Sequence, residues 1–144
     1  MATTITAYNH LSHLIAADLD LSAATIKVAL VTSAYTFSAA HTIWADASGS
    51  EVASGAGYTT GGETLGGKAL TLSSVTTKFD ATDLTWTALT KTFRRAVCYA
   101  SGTIMALTNP VLFSVLFDST PADISIPGID FVLIWNASGI LTIG

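Results

Sequence analysis

The chain is 144 residues long, and its composition is unusually poor in charge. Half of its residues are hydrophobic and 11% are charged, against roughly 25% charged in an ordinary soluble domain. Six basic and ten acidic residues give a net charge of −4, which argues against a positive surface for nucleic-acid phosphates. No window reaches the roughly 18 continuous apolar residues that a membrane-spanning helix needs. We therefore expect neither nucleic acid nor a membrane as a partner.

A surface with so little charge suggests that another protein covers part of it. A folded chain of this size exposes roughly 7,000 Å² of surface. The exposed area per charged residue would then be about 440 Å², around twice the value for an ordinary soluble domain. Copies of the chain itself, or a different protein, are the expected cover. Residues 1–6 lack the basic start and the apolar core of a secretory signal, so we expect no such signal here.

The length and the even composition predict one domain over 1–144. Within it, 1–20 are expected to form an N-terminal arm and a short helix, and 21–144 a β-sandwich. The single cysteine, Cys98, lies between apolar residues. We interpret it as a small buried hydrophobic residue and not as a nucleophile.

The one helical pattern covers about 8–18. Leu11, Leu14 and Ile15 fall at i, i+3 and i+4 and share a face. Before the helix, 2–8 are rich in threonine and uncharged. We expect this arm to lie extended across a neighbouring molecule, adding strand pairing that a free monomer does not satisfy.

After the helix the pattern is that of short strands. Residues 25–32 alternate and are rich in β-branched side chains, which favours a strand. Turn-forming residues separate the further predicted strands, which cover 69–72, 76–79, 84–89, 94–99, 104–107, 111–117, 131–135 and 140–143. This spacing is typical of sandwiches and barrels. We predict an all-β domain, a β-sandwich or jelly-roll-like fold with a short N-terminal helix.

Two of these strands, 111–117 and 131–135, are apolar on both faces. A strand with one face in water should alternate apolar and polar residues. One face of each strand can meet the core, and the other needs cover from loops, from the helix or from a neighbouring subunit. Residues 136–139 then predict a turn that returns the chain as the terminal strand.

The segment GETLGGK at 62–68 has the glycine and lysine spacing of a nucleotide-binding P-loop. Ala69 stands where a serine or threonine should hold magnesium, and the segment runs into a strand pattern instead of a helix. We interpret 55–67 as a long mobile loop whose glycines permit tight turns, with Tyr58 as its anchor.

Candidate metal ligands and catalytic groups are few. His10 and His13 are three residues apart on the predicted helix, with Asp18 nearby. No third histidine or cysteine lies close by, which favours solvated or capping roles. His41 stands alone in a loop, and no serine sits in a Gly-x-Ser-x-Gly elbow. We predict no catalytic residue, no cofactor and no metal ligand.

Structural roles also account for the acidic and aromatic residues. Asp80 and Asp83 fall in a predicted turn, where aspartates commonly accept hydrogen bonds from backbone amides. Trp44, Trp86 and Trp135 would suit a sugar-binding platform, although isolated tryptophans on β-rich chains more often close a core or an interface.

Several segments carry a resemblance to a known family. They are IKVALVTSAY at 26–35, EV at 51–52, GYTTGG at 57–62 with Leu65, FDATDLTW at 79–86, RAVCY at 95–99 and WNASGI at 135–140. In this order they resemble a family of small virion structural proteins of tailed bacteriophages, over most of the chain. None of these segments is a catalytic signature. The chain departs from the family at 101–110, which carries no charge where a polar turn is expected.

The resemblance implies a component of the virion without enzymatic activity. We expect a capsid decoration or cement protein that binds the major capsid protein or other virion proteins and self-associates as a closed homo-oligomer. A neck, tail or fibre-attachment protein is the alternative within this class. A glycan-binding module on the virion surface, using Trp44 or Tyr58, is the alternative from another class.

We expect the interface to come from the N-terminal segment, the loops 35–51 and 55–67, and one exposed strand edge. Large aromatic side chains are enriched at the centre of protein interfaces. The candidate interface residues are therefore aromatic, namely Tyr8, Tyr35, Trp44 and Tyr58.

Overall fold

The computed structural model describes residues 3–143 and consists mainly of strands, with 47% strand and 8% helix. Its elements in chain order are β1 (Thr4–Ala7), α1 (Leu11–Ala17), β2 (Ile26–Val31), α2 (Ala45–Ser48), β3 (Glu63–Thr64), β4 (Ala69–Ser73), β5 (Thr76–Asp80), β6 (Leu84–Phe93), β7 (Arg95–Ala100), β8 (Thr103–Ile104), β9 (Leu107–Thr108), β10 (Val111–Leu116), β11 (Ile124–Leu133) and β12 (Leu141–Ile143).

The largest sheet has five antiparallel strands in the order β1-β10-β7-β2-β3. Its three middle strands are apolar, and nearly all of their residues are buried. A strand with two apolar faces is stable only when both faces are covered. The prediction that 111–117 is such a strand is confirmed by β10, and the cover on both faces comes from this same chain.

The two faces of the main sheet contact different apolar clusters. Along β2, Ile26, Val28 and Leu30 point into the larger cluster, whereas Ala29 and Val31 point into the smaller one. The larger cluster holds most of the aromatic rings. Among them Phe93, Phe117 and Phe131 make three edge-to-face contacts, with ring centroids 5.1–5.4 Å apart. The alternation expected of a strand therefore holds, with protein on both sides.

Three smaller antiparallel sheets complete the described part of the chain. The first joins β11 to β6, the second has the order β12-β5-β4, and the third is the short pair β8-β9. They do not close into a barrel among residues 3–143. The prediction of an all-β chain with a short N-terminal helix is confirmed, while the sandwich or jelly-roll arrangement stays a prediction.

The predicted helix at 8–18 forms as α1, and Leu11 and Leu14 lie buried on its inner face. The helix precedes β2, and it packs on β10 of the main sheet. The single cysteine, Cys98, is fully buried on β7, and burial raises the pKa of its thiol. Its interpretation as a buried hydrophobic residue is confirmed.

Two predicted turns are built as expected. Asp83 accepts a hydrogen bond from the Trp135 backbone N–H at 2.9 Å, and Asp80 accepts one from the Ala81 N–H at 2.9 Å. In the turn at 136–139, the Gly139 N–H donates to the Asn136 carbonyl oxygen at 2.8 Å. Asp80 thus bonds a neighbouring amide, as its interpretation as a turn residue predicts. Asp83 instead bonds the amide of Trp135 and connects two segments far apart in sequence.

The predicted strand at 104–107 is wrong, because this segment reverses direction. Met105 and Ala106 adopt positive φ angles of 51° and 62°, which lie in the left-handed region and end a strand. The residues on either side pair as β8 and β9. The expected single strand is therefore a tight hairpin.

The N-terminal arm also differs from its prediction. Of 2–8, Ala2 lies outside the described residues, and Thr4–Ala7 form β1, which pairs with β10 of the same chain. The backbone pairing that we assigned to a neighbouring molecule is made internally, because β10 offers an unpaired edge close to the arm. The arm is thus an edge strand of the main sheet.

The approach of Gly62 to β2 gives a direct test of the fold. Gly62 has a φ of +82°, and a Cβ at this position would overlap the Val28 carbonyl oxygen. We expect Gly62→Ala to lower the free energy of unfolding by about 2–4 kcal/mol, since both the backbone angle and the space forbid a side chain.

Chemical denaturation of the two proteins measures this loss. Gly49→Ala is the matched control, because Gly49 has a φ of −64° and no atom within 4 Å of a built Cβ. We expect the control to be neutral or slightly stabilising. Equal losses for the two variants would contradict the packing described for Gly62.

Candidate interaction surfaces

The structure places three of the four candidate interface residues inside the protein. Tyr8, Trp44 and Tyr58 are 2%, 8% and 3% exposed, whereas Tyr35 is half-buried. Three of these rings therefore have little surface left for a partner to contact. Whether the loops that carry them contact a partner stays a prediction.

Tyr58 fastens the loop 55–67 to the main sheet, as its interpretation as an anchor requires. Its hydroxyl donates to Glu51 Oε1 at 2.6 Å and accepts a hydrogen bond from the Leu30 N–H at 3.1 Å. The Gly61 N–H donates to the same Glu51 oxygen at 2.6 Å. Burial raises the pKa of Tyr58 well above its usual range, and the bond to Glu51 adds to this. The loop is thus held by a buried hydrogen-bond network.

The other aromatic candidates lie on the opposite face of the main sheet. The Tyr35 hydroxyl is 2.8 Å from the Tyr8 hydroxyl and 2.8 Å from His41 Nδ1. Trp44 stacks on Tyr99 with ring centroids 4.9 Å apart. Burial raises the pKa of both Tyr8 and Tyr35. These residues close the smaller cluster over the sheet.

All three tryptophans face the interior. Trp86 and Trp135 are 1% and 6% exposed and belong to the larger cluster, while Trp44 belongs to the smaller one. The interpretation that they close a core is confirmed, and they do not form an exposed sugar-binding platform.

Within 3–143, the structure brings together no group of three or more His, Cys, Asp or Glu side chains able to hold a metal ion. Lys68 leads directly into β4, as the strand pattern predicts, and its Nζ donates to the Leu65 carbonyl oxygen at 3.3 Å.

No helix in the described range 3–143 is long and apolar enough to cross a membrane.

Apolar side chains are exposed on a hairpin, and we call 69–80, which comprise β4 and β5, the outer hairpin. Every residue of β4 is exposed. Leu72 and Val75 are 72% and 84% exposed, and Leu70 is 41% exposed. Large apolar side chains at such exposure are expected at interaction sites.

A second apolar surface lies where β1 and β11 approach each other, and we call it the β1–β11 face. Val132 and Ile134 point outward and are 44% and 71% exposed. Beside them run two shallow clefts of about 270 and 250 Å³, which share Thr3 and Ile134 in their walls. The predicted two-sided strand 131–135 thus has one face in the core and the other without cover from the described chain.

A groove of about 530 Å³ lies between α1 and β12, and we call it the α1–β12 groove. Leu11, Ile15 and Ala16 form its helical wall, and the strand wall is Leu141–Ile143. None of the residues that line it carries a charge. Sequence reasoning missed this groove, because its two walls come from opposite ends of the chain.

Comparisons with known proteins find no matching family model, no matching curated relative and no matching solved structure. The surfaces described above therefore carry the functional argument.

The network around Tyr58 predicts a measurable loss of stability. Tyr58→Phe removes the hydroxyl and leaves the buried Leu30 N–H without its acceptor, so we expect the free energy of unfolding to fall by about 1–3 kcal/mol. Denaturant unfolding measures the change. Glu51→Gln keeps an acceptor of the same shape and should cost less. Wild-type stability in Tyr58→Phe would refute the proposed importance of the network.

His10 predicts a pH dependence of stability. Both of its ring nitrogens are shielded from solvent. Burial lowers the pKa of His10, the backbone of Val111 partly opposes this shift, and the nearby His13 adds to it. The folded protein therefore favours the neutral ring. The preference of the folded protein for neutral His10 contributes fully to stability above the unfolded pKa of about 6.5. This contribution is lost as the pH falls below that value.

Thermal unfolding between neutral and mildly acidic pH measures this effect. We expect His10→Gln to flatten the profile in this window, whereas Ala17→Gln, at an exposed position of α1, should leave it unchanged. The aspartates with lowered pKa values, such as Asp46, titrate at lower pH and do not obscure the window. An identical slope in His10→Gln would show that another group is responsible.

Proposed function

We propose that the protein is a non-enzymatic structural component of a bacteriophage virion, and that it decorates the capsid shell. The resemblance of its segments to small tailed-phage structural proteins suggests the class. The observation that carries the proposal is the exposure of large apolar side chains on the outer hairpin and the β1–β11 face of a surface that has few charges.

The charge density supports this proposal. The chain exposes 6858 Å², which divided among 16 formal charges leaves about 430 Å² for each. Such a surface favours burial against protein, because desolvating apolar area is favourable and few charges need new partners. Many copies, each burying on the order of 1,600 Å² against its neighbours, would together stabilise a shell.

The β1–β11 face is the better candidate for the contact with the shell. Its outward side chains, Val132 and Ile134, lie beside clefts that give them a concave surrounding. A flat or convex segment of another virion protein could fill these clefts and cover both side chains. The major capsid protein, present in many copies, is the proposed partner.

Cryo-electron microscopy of particles that carry the protein tests the assignment. Density repeated over the capsid lattice would support decoration of the shell. A single ring or cluster at one vertex would assign the protein to the neck or tail instead, and absence from purified particles would refute the virion proposal.

A substitution on the β1–β11 face tests the contact itself. Ile134→Asp places a charge in the proposed interface, and we expect the occupancy on particles to fall at least about tenfold. Ser101→Asp, at an exposed position between β7 and β8, is the control for added charge and should leave occupancy unchanged. Full occupancy of Ile134→Asp would place the contact on another surface.

A further inference from the structure

The sheet β12-β5-β4 has two unpaired edges within the described part of the chain. β4 pairs with β5 alone, and β12 also pairs with β5 alone. Neither edge strand contains a charged residue or a proline. Proteins normally protect such edges with lysine, proline or a bulge, because an open edge pairs readily with another strand. Here both edges lack that protection.

The α1–β12 groove follows one of these edges. It touches Leu141, Thr142 and Ile143, three successive residues of β12. Because successive side chains of a strand point to opposite faces, a groove that meets all three lies along the main-chain edge. The helix α1 forms the opposite wall. The groove therefore has room for one extended segment between the edge of β12 and the helix.

The groove selects for a particular kind of segment. Its lining offers apolar side chains from Leu11 and Ile15 and no charge. An occupant must supply strand hydrogen bonds to β12 and apolar side chains to α1, and a charged side chain would lose its hydration without gaining a partner. The expected occupant is an extended, uncharged strand with apolar residues at alternate positions.

The other open edge of the same sheet has these properties. β4 reads Ala-Leu-Thr-Leu-Ser, is exposed throughout, and carries Leu70 and Leu72 on one face of the strand. Its position on the outer hairpin leaves it accessible to another molecule. A second copy of the chain thus offers the segment that the groove requires.

We propose that β4 of one copy enters the α1–β12 groove of the next copy and pairs with β12, so that the sheet continues from copy to copy. This contact is head-to-tail, because it joins two different surfaces, and it produces a ring or a filament. It goes beyond the proposed function, because it concerns contacts between copies of the free protein, and it is tested without particles.

Head-to-tail pairing accounts for more of the exposed apolar surface than a two-fold contact does. If β4 paired with β4 of another copy, the leucines would meet each other and both α1–β12 grooves would stay open. Pairing β4 with β12 covers Leu70, Leu72 and the groove in one contact. It also satisfies main-chain groups on both open edges.

Sedimentation velocity over a range of protein concentrations tests the proposal. We expect the wild-type chain to form species larger than a monomer. Ala16→Glu in the groove and Leu72→Glu on β4 should each weaken association at least about tenfold, because each places a charge in the contact. Both residues are exposed in the isolated chain, and thermal unfolding checks that the variants fold.

Matched controls are available on α1 and on an unrelated strand. Ala17→Glu makes the same change one residue further along α1, outside the groove, and Ile129→Glu adds a charge at an exposed apolar position of β11. Both should associate like the wild type. Ser12→Glu is a second variant of the groove wall and should behave like Ala16→Glu.

Mixing the two disruptive variants distinguishes the possible contacts. Ala16→Glu keeps an intact β4 and Leu72→Glu keeps an intact groove, so a mixture should form one-to-one dimers that do not grow further. A two-fold contact through β4 would leave Ala16→Glu unaffected, and a different partner for the groove would leave the wild type monomeric at all concentrations. Either result overturns the proposal, and neither bears on the location of the protein in the virion.

Discussion

The structure depends on the burial of both faces of its central strands. β10, β7 and β2 contain almost only apolar residues, so cover is needed on two sides at once. The larger cluster supplies it on one side, and the aromatic residues around Tyr8 and Trp44 supply it on the other. These two layers of cover together contain most of the large apolar side chains of the chain.

The sequence predicts the elements whose signal is local. β2 follows from alternation and β-branched residues, and α1 follows from the spacing of Leu11 and Leu14. β11 begins at Ile124, well before the predicted strand 131–135, and ends at Leu133, so Ile134 and Trp135 lie beyond it. The early part of β11 is missed because Pro127 and Gly128 are unusual within a strand, and the structure places them at a bulge opposite β6. The sequence also does not predict the β8-β9 hairpin, because this hairpin depends on left-handed backbone angles at residues other than glycine.

The candidate surfaces were less predictable than the fold. Composition indicates that a partner covers the chain, but the burial of Tyr8, Trp44 and Tyr58 depends on contacts between segments far apart in sequence. The α1–β12 groove needs the first helix and the last strand side by side. Exposure of the β1–β11 face follows from which side of β11 meets the core. Residues 131–135 are apolar on both faces and give no local signal for that choice.

Because Cys98 is buried, chemical labelling of its thiol reports how often the main sheet opens. The thiol lies fully buried at the centre of the main sheet, and it is the one cysteine of the sequence. An alkylating reagent reaches it only when β7 separates from a neighbouring layer, so the labelling rate follows the population of opened molecules. A reporter cysteine placed on the surface would react with little background, which allows distances between copies to be measured in an otherwise native chain.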